Sequence, residues 1–171
     1  MALDARGSVR DIYYPHVGLE DHVRGHYIHR VGVWVDGVMS WLSDDPDWRI
    51  VVSCEPEALA SAISAQHLRL GIELSFTDIV YNERSVFLRK IQIKNKTEHA
   101  REIKLYIAQQ FEIYKAHGGD TAFYDPQTHS VIHYKGRRVF LLSGTIDGEP
   151  FQDFATGLAN FAGHEGSHKD A

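Results

Sequence analysis

Cysteine is nearly absent from this chain, and long apolar runs are absent altogether. The 171 residues include one cysteine, Cys54, so no disulfide can form within the chain. No stretch approaches the roughly 20 apolar residues that a membrane-spanning helix needs. We therefore expect a protein of a reducing, cytoplasmic compartment with no membrane partner, in which Cys54 is a buried, inert thiol of a strand.

Positively charged residues are fewer than negatively charged ones. The chain has 18 lysine and arginine residues against 23 aspartate and glutamate residues, a formal net charge of -5. Because phosphate binding needs a positive surface, nucleic acid is not an expected partner. Hydrophobic residues make up 43% and charged residues 24%, which is typical of a globular protein and not of a disordered chain. The length suits one domain, or two small ones, with a real core, and we expect a single domain over residues 1–171.

Helical periodicity is missing, and apolar residues alternate with polar ones instead. In Ile28–Leu42 an Asp36-Gly37 pair lies between two alternating segments, which is the strongest short-range signal of a β-hairpin. A two-residue type I′ turn fixes the register. It pairs Val35 with Val38, Trp34 with Met39, Val33 with Ser40, and Gly32 with Trp41, whose ring then lies over bare glycine backbone. Both faces of this hairpin are apolar, which indicates a strand pair inside a sandwich.

The rest of the chain also predicts strands joined by turns. Four segments carry the signal: residues 56–67 as a strand in preference to a helix, 68–80 as a strand pair or one long bent strand, 85–114 as a hairpin, and 130–143 as a compact hairpin. In the last one, a Lys135-Gly136 turn pairs Val131 with Phe140 and Ile132 with Val139. The predicted fold class is therefore all-β, an antiparallel two-sheet sandwich with little or no helix.

The sharpest motif match is His164-Glu165-Gly166-Ser167-His168, which fits the H-E-x-x-H pattern of zinc hydrolases. In that pattern the two histidines share one helical face and bind zinc, while the glutamate activates the metal-bound water. Here Gly163 and Gly166 each cost a helix about 1 kcal/mol relative to alanine, and no third ligand follows His168. A solvated tail is therefore favoured over a zinc hydrolase, which stays open as an alternative.

Histidines also gather near the start of the chain, beside two acidic residues. Their spacing matches no recurrent metal pattern and favours polar loop histidines over metal ligands or an acid/base pair; the group is His16, Glu20, Asp21, His22, His26 and His29. Asp44, Asp45 and Asp47 crowd a turn around Pro46, where clustered aspartates are typical of turn chemistry. The residues alone therefore predict no catalytic residue, no metal ligand and no cofactor.

Aromatic side chains are plentiful in the first part of the chain, at Tyr13, Tyr14, Trp34, Trp41 and Trp48. Such rings stack on sugars in carbohydrate-binding modules. At strand spacing they are more typical of a core or an interface. An independent carbohydrate-binding module therefore stays open as an alternative function.

Five stretches resemble one known family. They are Gly7–His22 (GSVRDIYYPHVGLEDH), Gly32–Gly37 (GVWVDG), Ser40–Leu42 (SWL), Asp120–Pro126 (DTAFYDP) and Gly157–Gly166 (GLANFAGHEG). Together they resemble the N-terminal β-sandwich domain of prokaryotic glucoamylase-like proteins, glycoside hydrolase family 15. The first stretch is the most specific of the five.

The resemblance implies a two-sheet super-sandwich followed by an (α/α)6 barrel. In that family, two glutamates of the barrel act as general acid and general base in an inverting hydrolysis of α-glucosidic bonds. This chain carries no such barrel, so the resemblance implies a truncated, non-catalytic part of the N-terminal domain of a glucan 1,4-α-glucosidase-like parent. It leaves the parent's substrate open among glucans, dextran, trehalose and other small glucosides.

The partner that the resemblance implies is the catalytic barrel of the same parent chain. We expect one loop to face that barrel or the edge of its substrate cleft, through Tyr13, Tyr14, Pro15, His16, Asp21 and His22. Strand edges left open by truncation also predict a homodimer formed by edge pairing.

Overall fold

The computed structural model describes residues 1–23, 29–81, 83–115, 118–151 and 153–157, and nearly all of its regular structure is β-strand. Every strand pairing among these residues is antiparallel. The prediction of an antiparallel all-β fold with little helix is therefore confirmed. In the same residues no helix has the length and apolar character needed to cross a membrane.

The chain divides into two compact units. The first comprises the described residues of 1–12 and 25–109, and the second those of 13–24 and 110–171. The first unit has nine strands: β1 Ala2–Leu3, β2 Val9–Asp11, β3 His29–Val35, β4 Val38–Trp41, β5 Trp48–Cys54, β6 Ser61–His67, β7 Ile72–Tyr81, β8 Val86–Asn95 and β9 Ile103–Gln109. They form a three-stranded sheet in the order β4-β3-β9, a four-stranded sheet in the order β5-β6-β7-β8, and the small pair β1-β2.

The core of the first unit lies where the apolar faces of its two larger sheets meet. One buried cluster takes residues from both sheets: Val31, Val33 and Val35 of β3, and Trp48, Ile63, Ala65, Ile72, Leu74 and Phe76 of β5, β6 and β7. Strand side chains point alternately to opposite faces, so the period-two pattern of these segments places every second residue in the core. This arrangement is the two-sheet sandwich that the sequence predicts.

The β3–β4 hairpin has the predicted register in all four pairs, including Gly32 opposite Trp41. Asp36 and Gly37 both have positive φ, 50° and 88°, as a type I′ turn requires. A Cβ on Gly32 would lie 2.7 Å from the Trp41 ring and 2.6 Å from the terminal methyl of Met39. Glycine at this position therefore allows the ring to lie directly on the strand.

The predicted hairpin over residues 85–114 is wrong, although its two strands exist. β8 pairs with β7, whereas β9 pairs with β3 in the other sheet. The connection between them is held by the turn before β7: Lys96 N–H donates to the Gly71 carbonyl, and the Arg101 guanidinium donates to the carbonyls of Leu70 and Gly71. These contacts direct the chain from β8 to the other sheet, so that β9 does not pair with β8.

Residues 56–80 form strands, as predicted, and contain no helix. β6 ends at His67, a turn follows in which the Gly71 N–H donates to the Leu68 carbonyl, and β7 then runs as one strand from Ile72. Of the two predicted alternatives for residues 68–80, the single strand is therefore the correct one.

The second unit contains one short 3₁₀ turn and five strands among its described residues. The turn is Ile113–Lys115, and the strands are β10 Thr121–Asp125, β11 Ser130–Lys135, β12 Arg138–Leu142, β13 Thr145–Ile146 and β14 Glu149–Pro150. They form a sheet in the order β10-β11-β12 and the separate pair β13-β14.

The β11–β12 hairpin exists, but its predicted register is wrong. Val131 pairs with Leu142 and Ile132 with Leu141, because Lys135 stays in the strand opposite Arg138. The turn is therefore Gly136-Arg137, with positive φ at Gly136. Glycine at the first central position of a two-residue loop is the preference of a type II′ turn, and this preference moves the turn by one residue.

We expect Gly32→Ala to destabilise the first unit by about 1–3 kcal/mol, because the added methyl group overlaps the Trp41 ring and has no space to enter. Urea unfolding followed by tryptophan fluorescence measures the change. Gly144→Ala is the matched control, since a Cβ there meets nothing within 4 Å. Equal stability of the two variants would contradict the close approach of Trp41 to β3.

Candidate functional site

A closed loop in the second unit, residues 13–23, contains every site residue that the resemblance implies. Its two ends pair through a β-bridge between Tyr13 and Asp21, and the Tyr14 N–H donates to the Glu20 carbonyl at 3.0 Å. Inside the loop the Leu19 N–H donates to the His16 carbonyl at 3.2 Å. The 13–23 loop is therefore folded on itself by its own backbone hydrogen bonds.

His22 fixes this loop to the rest of the second unit. Its side chain is fully buried; Nδ1 accepts the Tyr114 N–H at 3.2 Å, and Nε2 lies 3.0 Å from the Tyr14 carbonyl oxygen. Because Nδ1 accepts, the proton lies on Nε2 and is donated to Tyr14. The Glu112 N–H also donates to the His22 carbonyl, and the ring packs against Phe140 at 4.9 Å between centroids. Both ring nitrogens therefore hold backbone groups, one of the loop at Tyr14 and one at Tyr114.

Glu20 and Arg138 form a bidentate ion pair beside His22. The guanidinium donates from Nε at 2.6 Å and from a terminal nitrogen at 3.0 Å. The same guanidinium lies 5.6 Å from the centre of the Tyr14 ring and 5.7 Å from that of Tyr114. Hydrogen bonds from Arg138 lower the pKa of Glu20, and the bonds to Glu20 raise the pKa of Arg138. Both groups are therefore charged near neutral pH, and the pair clamps the loop onto β12.

Asp21 also stabilises the conformation of the loop. It is buried, its Oδ1 accepts the Val23 N–H at 3.2 Å, and its Oδ2 lies 3.5 Å from the Lys115 ammonium. A carboxylate held in this way by a backbone amide and a cation stabilises the loop conformation.

The outer surface of the loop is apolar. Val17 is 84% exposed and Leu19 70% exposed, and Pro15 and His16 are exposed beside them. Val17 and Leu19 are the two large aliphatic side chains that this loop exposes. This apolar loop tip, Val17 with Leu19, is the surface that the loop presents.

The six predicted loop residues thus fall into two groups. Asp21 and His22 are buried, and Tyr13 and Tyr14 are half-buried, whereas Pro15 and His16 are exposed at the tip. Sequence reasoning missed the two residues that clamp the loop, Arg138 and Tyr114, because they lie far away in the chain. It also passed over the tip residues Val17 and Leu19, for which the sequence gives a usable signal: aliphatic side chains between glycine and polar residues, outside any strand.

A second cluster lies in the first unit, where Asp45, Asp47 and His67 bring one ligand atom each to within 4.8 Å of one another. Asp45 accepts hydrogen bonds from Ser40 Oγ at 2.6 Å, from the Asp47 N–H at 2.9 Å and from His67 Nε2 at 3.0 Å. His67 Nδ1 accepts the Leu70 N–H, so its proton is on Nε2 and points at Asp45. Asp47 is paired with Arg69.

The donors around Asp45 identify this cluster as a hydrogen-bond hub. Ser40 Oγ, which donates to Asp45, accepts the indole N–H of the buried Trp48 at 2.8 Å. Hydrogen atoms therefore point at the carboxylate from three sides, in the positions that a cation would need to occupy. Burial by itself raises the pKa of Asp45, but the bonds from Ser40, the Asp47 amide and His67 outweigh it and lower the pKa from 3.8 to about 2. The prediction of turn chemistry is confirmed for Asp45, whose side chain accepts the Asp47 N–H, whereas the side chains of Asp44 and Asp47 form ion pairs with Arg30 and Arg69.

The remaining candidates are dispersed or lie outside the described residues. The prediction of polar loop histidines is wrong for two of them: His29 is buried on β3, and His22 is buried in the loop. Trp48 is in the core, and Trp34 and Trp41 are half-buried. Cys54 is exposed, so the prediction of a buried thiol is wrong; it stands at the end of an edge strand. Outside the described residues lie Ile28, His26, most of the family-like stretch Gly157–Gly166, and the whole His164–His168 motif.

Comparison of the chain with protein-family models, with curated proteins and with solved structures finds no match. The function is therefore inferred from the sequence motifs and from the geometry of the two units. Of the two clusters, the Asp45 hub has its hydrogen bonds satisfied internally. The 13–23 loop exposes Val17 and Leu19 and contains the residues that the resemblance implies, and it is the candidate functional site.

We expect Asp45→Asn to lower the free energy of unfolding at neutral pH by on the order of 1–2 kcal/mol, after allowance for solvent screening. The folded pKa of about 2 lies below the ordinary value of 3.8, so the carboxylate stabilises the fold above about pH 4 and loses this effect as the pH falls towards 2. Urea unfolding at a series of pH values measures the difference between the two proteins.

That difference should shrink as the pH falls from about 4 to about 2, because the carboxyl group of the native protein becomes protonated and is then uncharged, like the amide of the variant. Glu98→Gln is the control, since it removes the same charge from an exposed position. A difference that stays constant over this pH range would contradict the role of the charged carboxylate.

Proposed function

We propose that this chain is a non-catalytic β-sandwich segment of a glucoamylase-like enzyme of glycoside hydrolase family 15, and that its 13–23 loop packs on the catalytic barrel of that enzyme. The family motif Gly7–His22 supports the family, and the two-sheet antiparallel architecture of the first unit is compatible with it. The observation that carries the docking role is the apolar loop tip, Val17 with Leu19, raised on a loop clamped by His22 and the Glu20–Arg138 pair.

The energetics of the loop suit docking. Full burial of a valine or leucine side chain contributes about 1.5–3 kcal/mol, so the tip residues give a partner a substantial apolar anchor. The loop is already ordered by its backbone bonds, by His22 and by Arg138, so its docking loses little conformational entropy. Such an apolar patch with a charged pair beside it has the composition of an interface core and its polar rim.

The proposed role assigns no bond cleavage to this chain. His22 and Asp21 hold the loop backbone, and Glu20 is neutralised by Arg138, so none of them is available as an acid or base. Hydrolysis of an α-glucosidic bond falls to two glutamates of the barrel, and the chain contributes by supporting the barrel at one edge of its cleft. The proposal includes a cytoplasmic location, an α-glucan or small glucoside as the substrate of the parent, and no cofactor.

Sequencing the reading frame on both sides of this segment tests the assignment to the family. We expect a downstream helical-repeat domain that contains two glutamates placed as acid and base. A complete frame without such a domain would overturn the proposal.

Two measurements on this chain address the alternatives: titration with maltooligosaccharides should give no binding, and metal analysis should find no zinc. Sugar binding would favour an independent carbohydrate-binding module, and stoichiometric zinc a hydrolase based on His164 and His168.

We expect Val17→Asp/Leu19→Asp to lower the melting temperature and the turnover of the full-length parent enzyme, because two charges at the loop tip oppose its burial against the barrel. In this chain alone the same change should leave the unfolding transition within about 0.5 kcal/mol, since both side chains are exposed. Calorimetry and maltooligosaccharide hydrolysis measure the two effects.

Ile146→Asp is the control for the loop variant, because Ile146 is an aliphatic residue of the same unit that is 66% exposed and lies outside the loop. It should leave the parent enzyme unchanged. Unchanged melting temperature and turnover in the loop-tip variant would exclude the loop as the docking surface.

A further inference from the structure

The edges of the first unit's two larger sheets differ in how they are protected from pairing with another strand. β8 carries the charged side chains Arg89, Lys90 and Lys94, and β4 has only four residues. Charged side chains and short length are the usual means by which an edge avoids association. β5 and β9 have neither: each has seven residues with a single charge, Arg49 in β5 (WRIVVSC) and Lys104 in β9.

β5 is also solvent-exposed along most of its length. Val51 is 65% exposed and Val52 38% exposed, on opposite faces of the strand, and Cys54 is exposed at its end. β5 pairs only with β6 among the described strands. A long, exposed, β-branched edge with little charge is a template for another strand.

The backbone of β5 offers a defined set of hydrogen-bonding groups. The Glu55 N–H donates to the Ala60 carbonyl, so the backbone groups of odd-numbered residues are directed towards β6. Residues alternate in an antiparallel ladder, so the N–H and C=O groups of Ile50, Val52 and Cys54 are directed away from β6. A strand added at this edge must bond to these three residues.

We propose that β5 pairs antiparallel with β5 of a second copy of this chain, across a twofold axis at Val52. In this register Val52 lies opposite Val52 of the other copy, and Ile50 opposite Cys54, so that every outward backbone group from residue 50 to residue 54 meets another. The two four-stranded sheets then become one continuous sheet. The pairing is isologous and therefore closed at two copies.

Charge complementarity selects this register. With the axis at Val52, Arg49 of each copy lies opposite Glu55 of the other, on the same outer face of the sheet, which forms two cross-strand pairs of opposite charge. With the axis at Val51, Glu55 would face Asp47 and Arg49 would face Ser53. With the axis at Ser53, Pro56 would enter the ladder opposite Ile50, where it has no N–H to donate. The pairing stands independently of the proposed docking to a barrel.

The first test is the mass of the chain in solution, measured by sedimentation or by light scattering over a concentration series. We expect a species of twice 19.4 kDa that dissociates on dilution. Val52→Pro should give a monomer with unchanged folding, because the Val52 N–H points away from β6 and its loss removes no bond within the chain. Val52→Thr, which keeps the N–H, is the matched control and should remain a dimer.

The charge pairs test the register. Arg49→Glu places glutamate opposite Glu55 of the other copy and should weaken the dimer about tenfold or more, and Arg49→Glu/Glu55→Arg should restore it. Ile50→Cys tests the same register covalently. Its thiol lies opposite Cys54 of the other copy at the roughly 5.5 Å Cα separation of a hydrogen-bonded pair, which a disulfide can span. Oxidised glutathione should therefore link the two copies.

Val51→Cys is the control for cross-linking, since that side chain points to the opposite face from Cys54 and should give no disulfide. A monomer at every concentration would overturn the proposal. So would a dimer that survives Val52→Pro, because it would use another surface. A dimer that is lost in Val52→Pro but in which Ile50→Cys forms no cross-link and the charge exchange restores nothing would overturn the assigned register.

Discussion

Burial of two apolar sheet faces against each other is the constraint on which the first unit depends. Val33 and Val35 of β3 share one buried cluster with Leu74 of β7 and Trp48 of β5, and each fully buried aliphatic side chain contributes about 1.5–3 kcal/mol. The polar hub follows from this burial. Because Trp48 enters the core, its indole N–H needs a partner there, and Ser40, Asp45 and His67 supply a chain of hydrogen bonds that leads back to the surface.

In the second unit, the buried polar groups of the 13–23 loop also need hydrogen-bond partners. The buried imidazole of His22 has both nitrogens bonded to backbone, and this fixes the entry and exit of the 13–23 loop. The Glu20–Arg138 pair holds it from the other side. With its polar groups satisfied underneath, the loop presents Val17 and Leu19 outward, and the proposed docking role rests on these two side chains.

Sheet formation also determines which backbone hydrogen-bonding groups stay free at the edges of the first unit. A strand inside a sheet has its backbone bonded on both sides, whereas an edge strand has one row of groups directed outward. β8 carries Arg89, Lys90 and Lys94, whereas β5 exposes two valines, carries Arg49 and is followed directly by Glu55. The 13–23 loop and the β5 edge belong to different units, and the two proposals assign them different partners: an apolar surface for the loop and a matching strand for the edge.

The sequence by itself determined what is local. The Asp36-Gly37 turn set the β3–β4 register in every pair, because a two-residue loop with positive φ leaves one alignment, and the alternation of apolar residues specified strands in place of helices. Only the tertiary structure decided which strands pair across sheets. Alternation shows which face of β8 or β9 is apolar and not which strand lies beside it, so the hairpin expected there is split between two sheets by the contacts of Arg101 and Lys96 with the turn before β7. The loop residues were visible in the sequence, but their roles depend on Arg138, which lies 118 residues from Glu20, and no local pattern encodes a contact over that separation.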